Sequence, residues 1–127
     1  MLALLVVLAG AVGCAGRVSA QVGGERVVVT PGDGVLQTRF LFTGSGYAPG
    51  RIISVRVLPP DGSEHRLTTE DNAELIWLVQ ADGTFGLELV PSQRFPALGT
   101  GRWRILFCSA GASTCQLVEF DIVSGPR

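Results

Sequence analysis

Apolar and polar residues alternate along most of this chain at a period of two, in short runs separated by Gly, Pro, Asp and Ser at intervals of roughly ten residues. Successive side chains of a β-strand point to opposite faces, so each run sorts into two sets. Phe40 and Phe42 share one face, as do Ile53, Val55 and Val57. Phe85, Leu87 and Leu89 oppose Gly86 and Glu88; Trp103, Ile105 and Phe107 oppose Arg102 and Arg104; Val118, Phe120 and Ile122 oppose Glu119 and Asp121. Strands with one apolar face each must bury those faces against a shared interior, which predicts an all-β fold of two packed sheets. The spacing places strands over Arg26–Thr30, Gln37–Gly44, Ile52–Leu58, Glu74–Val79, Thr84–Val90, Gly101–Cys108 and Gln116–Val123, with a weaker edge strand near His65–Thr69. Only Thr69–Val79 carries competing helix signals, a Thr69 or Asp71 cap followed by early acidic residues.

Turn residues fall between these runs. Pro31-Gly32-Asp33-Gly34, Ala48-Pro49-Gly50 and Pro60-Asp61-Gly62 all reverse a chain cheaply. Asp82-Gly83 predicts a tight hairpin joining the strand that ends near Val79 to the one that begins at Thr84. Cys108 and Cys115 flank the segment Ser109–Thr114. They lack the C-x-x-C spacing of a redox or metal pair, so a structural disulfide at the neck of a hairpin is expected, stabilising by about 2–3 kcal/mol. The loop it closes is a place where a binding segment could sit.

The N-terminal pattern is different. Leu2–Val12 is uninterrupted apolar sequence, and with Gly13–Gly16 the uncharged run stays below the ~18–20 residues that cross a bilayer, so it reads as the core of an export signal. Two exits follow. Ala11-Val12-Gly13-Cys14 resembles a bacterial lipobox, with Ala11 where Leu is usual, and implies lipid attachment at Cys14. Val18-Ser19-Ala20 has small residues at a signal peptidase's two reading positions and implies cleavage before Gln21. An uncleaved tether is the third reading. Residues 1–20 are therefore assigned as signal or lipoprotein anchor, 21–25 as a tether and 26–124 as the folded domain. Every route places that domain outside the cytoplasm, either secreted or anchored on the outer side of the membrane. Lipidation or removal of Cys14 leaves the other two cysteines as an even pair.

Composition narrows the chemistry. The chain has 127 residues, room for one domain, and a net charge of -1, without the basic footprint that attracts phosphates, so nucleic acid is not an expected partner. His65 is the only histidine, and with no methionine beyond Met1 neither a blue-copper nor a zinc ligand set is present. A hydrolytic triad has only His65 to use, beside a predicted turn. Glu70-Asp71-Asn72-Ala73-Glu74 is the one acidic cluster and lacks the spacing of a calcium loop. No Gly-rich loop precedes a lysine to hold a nucleotide phosphate. The expectation is a protein without catalytic residues, cofactor or metal.

Phe42-Thr43-Gly44-Ser45-Gly46-Tyr47-Ala48-Pro49-Gly50, followed by Pro60-Asp61-Gly62, Ala81-Asp82-Gly83-Thr84-Phe85 and Gly101-Arg102-Trp103, resembles the bacterial extracellular immunoglobulin-like modules of surface proteins and lipoproteins. The likeness runs from Val27 to Val123. It implies an immunoglobulin-like sandwich of about seven strands, without the inter-sheet cysteine pair of antibody domains. Such modules act as spacers, adhesion units and ligand platforms alike, so the resemblance implies fold more than activity. The expected role is a non-enzymatic module at the cell envelope, serving adhesion, assembly or accessory binding, with another protein or an envelope component as partner. The alternative is a carbohydrate-binding module. Trp103 points inward by alternation, which leaves Trp77 and Tyr47 as the candidate sugar platforms. Tyr47 is otherwise expected to close one end of the core with its hydroxyl at the surface.

Overall fold

A computed structural model of the chain describes residues 17–18, 24–69, 71–95, 99–110 and 115–124. It is mostly β, in two sheets. The smaller sheet orders β1 (Arg17–Val18), β2 (Arg26–Thr30), β4 (Phe40–Ser45) and β8 (Phe85–Leu89) side by side. The larger orders β3 (Asp33–Gly34), β10 (Cys115–Ile122), β9 (Gly101–Ser109), β5 (Ile52–Leu58) and β6 (His65–Arg66), with β7 (Ile76–Leu78) also on β5. After a cis Thr30–Pro31 bond the chain leaves the smaller sheet, and β3 pairs parallel with the end of β10 in the larger.

The alternation read from the sequence is the alternation of burial. Phe40, Phe42, Val55, Leu87, Trp103, Ile105, Phe107 and Phe120 lie in one continuous core, each no more than 6% exposed. The rings lock the sheets together: Phe120 of the larger sheet lies 4.6 Å from Phe40 and 5.4 Å from Phe42 of the smaller, while Phe107 lies 5.6 Å from Phe42 and 5.8 Å from Phe85. Tilted and edge-on pairs of this kind add about 0.5–1.5 kcal/mol each beyond the area they bury. Trp103, fully buried, keeps its indole N–H satisfied by donating to the Gly99 carbonyl at 3.0 Å.

Register defines two ends. Thr30, Leu89, Leu58, Gly101 and Ile122 lie at one; Arg26, Phe85, Ile52, Ser109 and Cys115 lie at the other. Cys108 and Cys115 are direct cross-strand partners and are disulfide-bonded, with Cα atoms 4.2 Å apart, so the second end is stapled.

Three expectations change. Asp82-Gly83 does not make a two-strand hairpin, because β7 pairs with β5 and β8 with β4. The turn itself forms, with Gln80 N–H donating to the Thr84 carbonyl, but it carries the chain from one sheet to the other. Leu87 and Leu89 are buried opposite Phe42 and Phe40, which fixes β8 in the smaller sheet, while Trp77 sits beside Ile53 in the larger. Second, Thr69 caps no helix. Its hydroxyl accepts the Asp71 and Ala73 N–H groups around a turn in which Asn72 takes φ 66°, and the chain then runs extended into β7. Third, a single helical turn, α1 (Pro91–Arg94), occurs where no helix is expected; Pro91 at its start supplies a preset φ, and Arg94 donates to the Thr68 carbonyl. The second strand of the pattern, Gln37–Gly44, begins later, at Phe40, because Val35–Thr38 closes a turn of its own. β1 lies in the segment assigned from sequence to the signal or anchor.

Candidate functional site

The outer face of the larger sheet is divided in two. Cross-strand register sets Leu78 beside Ile52, Ile76 beside Ser54, Ser54 beside Cys108 on its other side, and Leu106 beside Leu117. Leu78 is 63% exposed, Ile76 53%, Ile52 38% and Leu117 38%, and the Cys108–Cys115 disulfide lies among them. This apolar half occupies the stapled end. Toward the other end the same outward positions become charged. Arg102 donates to Asp121 at 2.6 Å and to Glu119 at 3.2 Å, and Arg56 donates to Glu64 at 3.1 Å. Exposed pairs like these contribute only about 0.2–1 kcal/mol, so they tie each arginine to a carboxylate without stabilising the sheet much.

The apolar half is anchored from below and from the side. Ala110 N–H donates to the Ile52 carbonyl at 2.8 Å, and the Ser54 hydroxyl to the Cys108 carbonyl at 3.5 Å, so the β9–β10 hairpin cannot shift relative to β5 without breaking both. Ser109, expected in the exposed loop, is the last residue of β9 and is 4% exposed. Gly111–Thr114, the rest of that loop, and Cys14, the lipid-attachment candidate, lie outside the described residues. The inward-facing apolar positions are legible from alternation alone. The outward ones show only as breaks in it: Leu75-Ile76-Trp77-Leu78 has no polar position, and Leu106 and Leu117 stand where charge is expected.

Of the two sugar-platform candidates, Tyr47 is buried and Trp77 half-buried. Tyr47 is 4% exposed and packs edge-on against Phe85 at 5.2 Å. Its hydroxyl is buried without a hydrogen-bond partner, where the sequence reading left it at the surface. Trp77 is half-buried against the core because it shares Ile53's inward face. No other aromatic is exposed either.

His65, Ser63 and Asp61 come together in an order that does not suit nucleophilic catalysis. Ser63 Oγ lies 2.8 Å from His65 Nε2 and donates to Asp61 Oδ1 at 2.5 Å, so serine, not histidine, is the middle member. Asp61 also accepts the Ser63 N–H at 2.9 Å, and these hydrogen bonds lower its pKa, which weakens it as a base. The same turn recurs at Asp82-Gly83-Thr84, where Asp82 accepts both the Thr84 N–H and hydroxyl and is likewise lowered. Both are Asp-Gly-Ser/Thr turns with the glycine at positive φ. Among the described residues no three His, Cys, Asp or Glu side chains gather as a metal site, and no helix is long and apolar enough to cross a membrane. No protein-family model, curated protein or solved structure matches the chain.

Tyr47 gives the site's surroundings a measurable signature. Burial, and to a lesser extent the charge of Glu25, push its pKa up to about 12. Folding then binds the phenolic proton more tightly than the unfolded chain does. Stability is therefore full below pH 10 and falls by up to about 3 kcal/mol as pH rises through 12. The chain has one tyrosine and no lysine, so no other side-chain type of the folded chain has its ordinary pKa in that window. Alkaline absorbance titration is expected to show tyrosinate forming near pH 12. Tyr47→Phe is expected to abolish the alkaline decline and to change neutral-pH stability by less than about 1 kcal/mol, since the hydroxyl it removes is unsatisfied.

Proposed function

We propose that the chain is a non-enzymatic, exported immunoglobulin-like module at the cell envelope, and that it works by binding another protein on the apolar half of its larger sheet. The fold reading is supported by connectivity: β2-β4-β8 and β10-β9-β5 follow the chain order A-B-E and G-F-C of immunoglobulin-type sheets. The observation that carries the function is the exposed cluster Ile52, Ile76, Leu78 and Leu117 bordered by ion-paired arginines. An apolar centre with a charged rim is the composition of a protein interface, and a flat pleated surface suits a protein partner better than a small molecule. The partner implied has a matching apolar patch flanked by charges of both signs. Sugar binding draws no support from the buried Tyr47 and half-buried Trp77.

Photo-crosslinking in cells tests this. A photoreactive residue at Leu78 is expected to yield a discrete protein adduct that Ile76→Asp abolishes, whereas the same residue at Thr43, on the outer face of the smaller sheet, yields none. Adducts absent from Leu78, or equal at Thr43, would overturn the proposal.

A further inference from the structure

β1 discriminates between the two ways the chain can be processed. Arg17 and Val18 pair antiparallel with Val29 and Val28 on the outer edge of β2, whose other edge is taken by β4. β2 reads Arg-Val-Val-Val-Thr. Stripped of β1 it becomes a sheet edge of five residues with three consecutive valines, β-branched and uncharged, the kind of edge that pairs with other chains. The opposite edge of the same sheet is blunted: β8 carries Glu88 and Gly86 on its outward face, and in the larger sheet β6 and β7 are two or three residues long while β3 pairs with Asp121 and Ile122 of β10.

Cleavage between Ala20 and Gln21 removes β1 with the leader. Cleavage before Cys14 keeps it, with only Ala15 and Gly16 between the cysteine and the strand. We infer that the mature protein retains Arg17–Val18 as the outer strand of the smaller sheet, which excludes processing at Ala20–Gln21, and that of the routes that keep the strand the lipobox-like Ala11-Val12-Gly13-Cys14 places the cut at the Gly13–Cys14 bond. This rests on the reading of the chain as an exported envelope module and names its point of attachment.

The pairing also orients the module. Arg17 lies toward the Thr30 end, and the span from Cys14 to Arg17 is at most about 10 Å of extended chain. The Thr30 end therefore faces the membrane. The stapled end, with Leu78 and Ile52, stands away from it by the length of β10, roughly 25 Å for eight residues.

The test uses the full chain exported by its own leader in a bacterial host and purified from the membrane fraction. Intact mass is expected to give a start at an acylated Cys14. A start at Gln21, or an uncleaved Met1, overturns the inference. Hydrogen exchange on the same material is expected to show slow exchange in peptides spanning Arg17–Val18 and β2. A Cys14 start with Arg17–Val18 exchanging at unstructured rates overturns the retained strand as the reason. The crosslinks at Leu78 are read separately, so a Gln21 start with those crosslinks intact sinks this inference alone, and lost crosslinks with a Cys14 start sink only the binding reading.

Discussion

Phe120→Ala is expected to cost about 3–5 kcal/mol, a large share of the 5–15 kcal/mol that holds a domain of this size. Phe120 is fully buried and is the ring on which others converge, with Phe40 at 4.6 Å, Phe42 at 5.4 Å and Trp103 at 6.2 Å. Phe40 and Phe42 belong to one sheet and Phe120 and Trp103 to the other, so truncation opens a cavity at the contact between layers. Rigid sheets on both sides limit collapse into it. Leu117, three residues earlier on the same strand, is 38% exposed on the outer face, and Leu117→Ala is expected to cost less than about 1 kcal/mol. Chemical denaturation followed by tryptophan fluorescence measures both. Equal costs at the two positions would mean that β10 does not face as described.

Gly46→Ala is expected to be the more damaging of two substitutions that look alike in sequence. Gly46 and Gly50 both take positive φ, 80° and 81°, so alanine at either meets the left-handed penalty of about 1–2 kcal/mol. Their surroundings differ. A Cβ on Gly46 runs into the Gly24 carbonyl oxygen, a backbone atom that cannot rotate aside, whereas a Cβ on Gly50 meets nothing. Forcing the Gly24 segment away adds about 1–3 kcal/mol at Gly46 alone. Thermal unfolding of the two variants is expected to place Gly46→Ala well below Gly50→Ala. Similar midpoints would mean that the chain entering β2 does not pack on the turn after β4.

The two predictions differ in how far each was legible. The inward position of Phe120 follows from alternation with Glu119 and Asp121, a local property that survives whatever the strand pairs with. The glycines of Gly44-Ser45-Gly46 announce a bend, but that Gly44 abuts the Phe85 ring and Gly46 the Gly24 carbonyl depends on segments about forty residues ahead and twenty residues back, not readable from the turn. Asp82-Gly83 shows the same limit. The turn forms as its residues dictate, yet β7 and β8 part to opposite sheets because Leu87 and Leu89 find their burial opposite β4. Tyr47 was readable as a residue that closes the core, but its hydroxyl is buried along with a ring that packs edge-on against Phe85, a contact that spans more than thirty residues. The outer face was the least legible. Ile52, Ile76, Leu78 and Leu117 are separate irregularities along the chain and become one surface only through the register of β5, β7, β9 and β10.

The β character, the inward face of each long strand and the pairing of Cys108 with Cys115 follow from side-chain alternation and short loops, which act over a few residues. Which sheet each strand joins, the closing of the β2 edge by Arg17–Val18 and the meeting of scattered apolar residues outside the core emerge in the folded chain alone. Those outcomes depend on contacts between segments far apart in the chain, where the gain from burying one face against another outweighs the preference of any single turn.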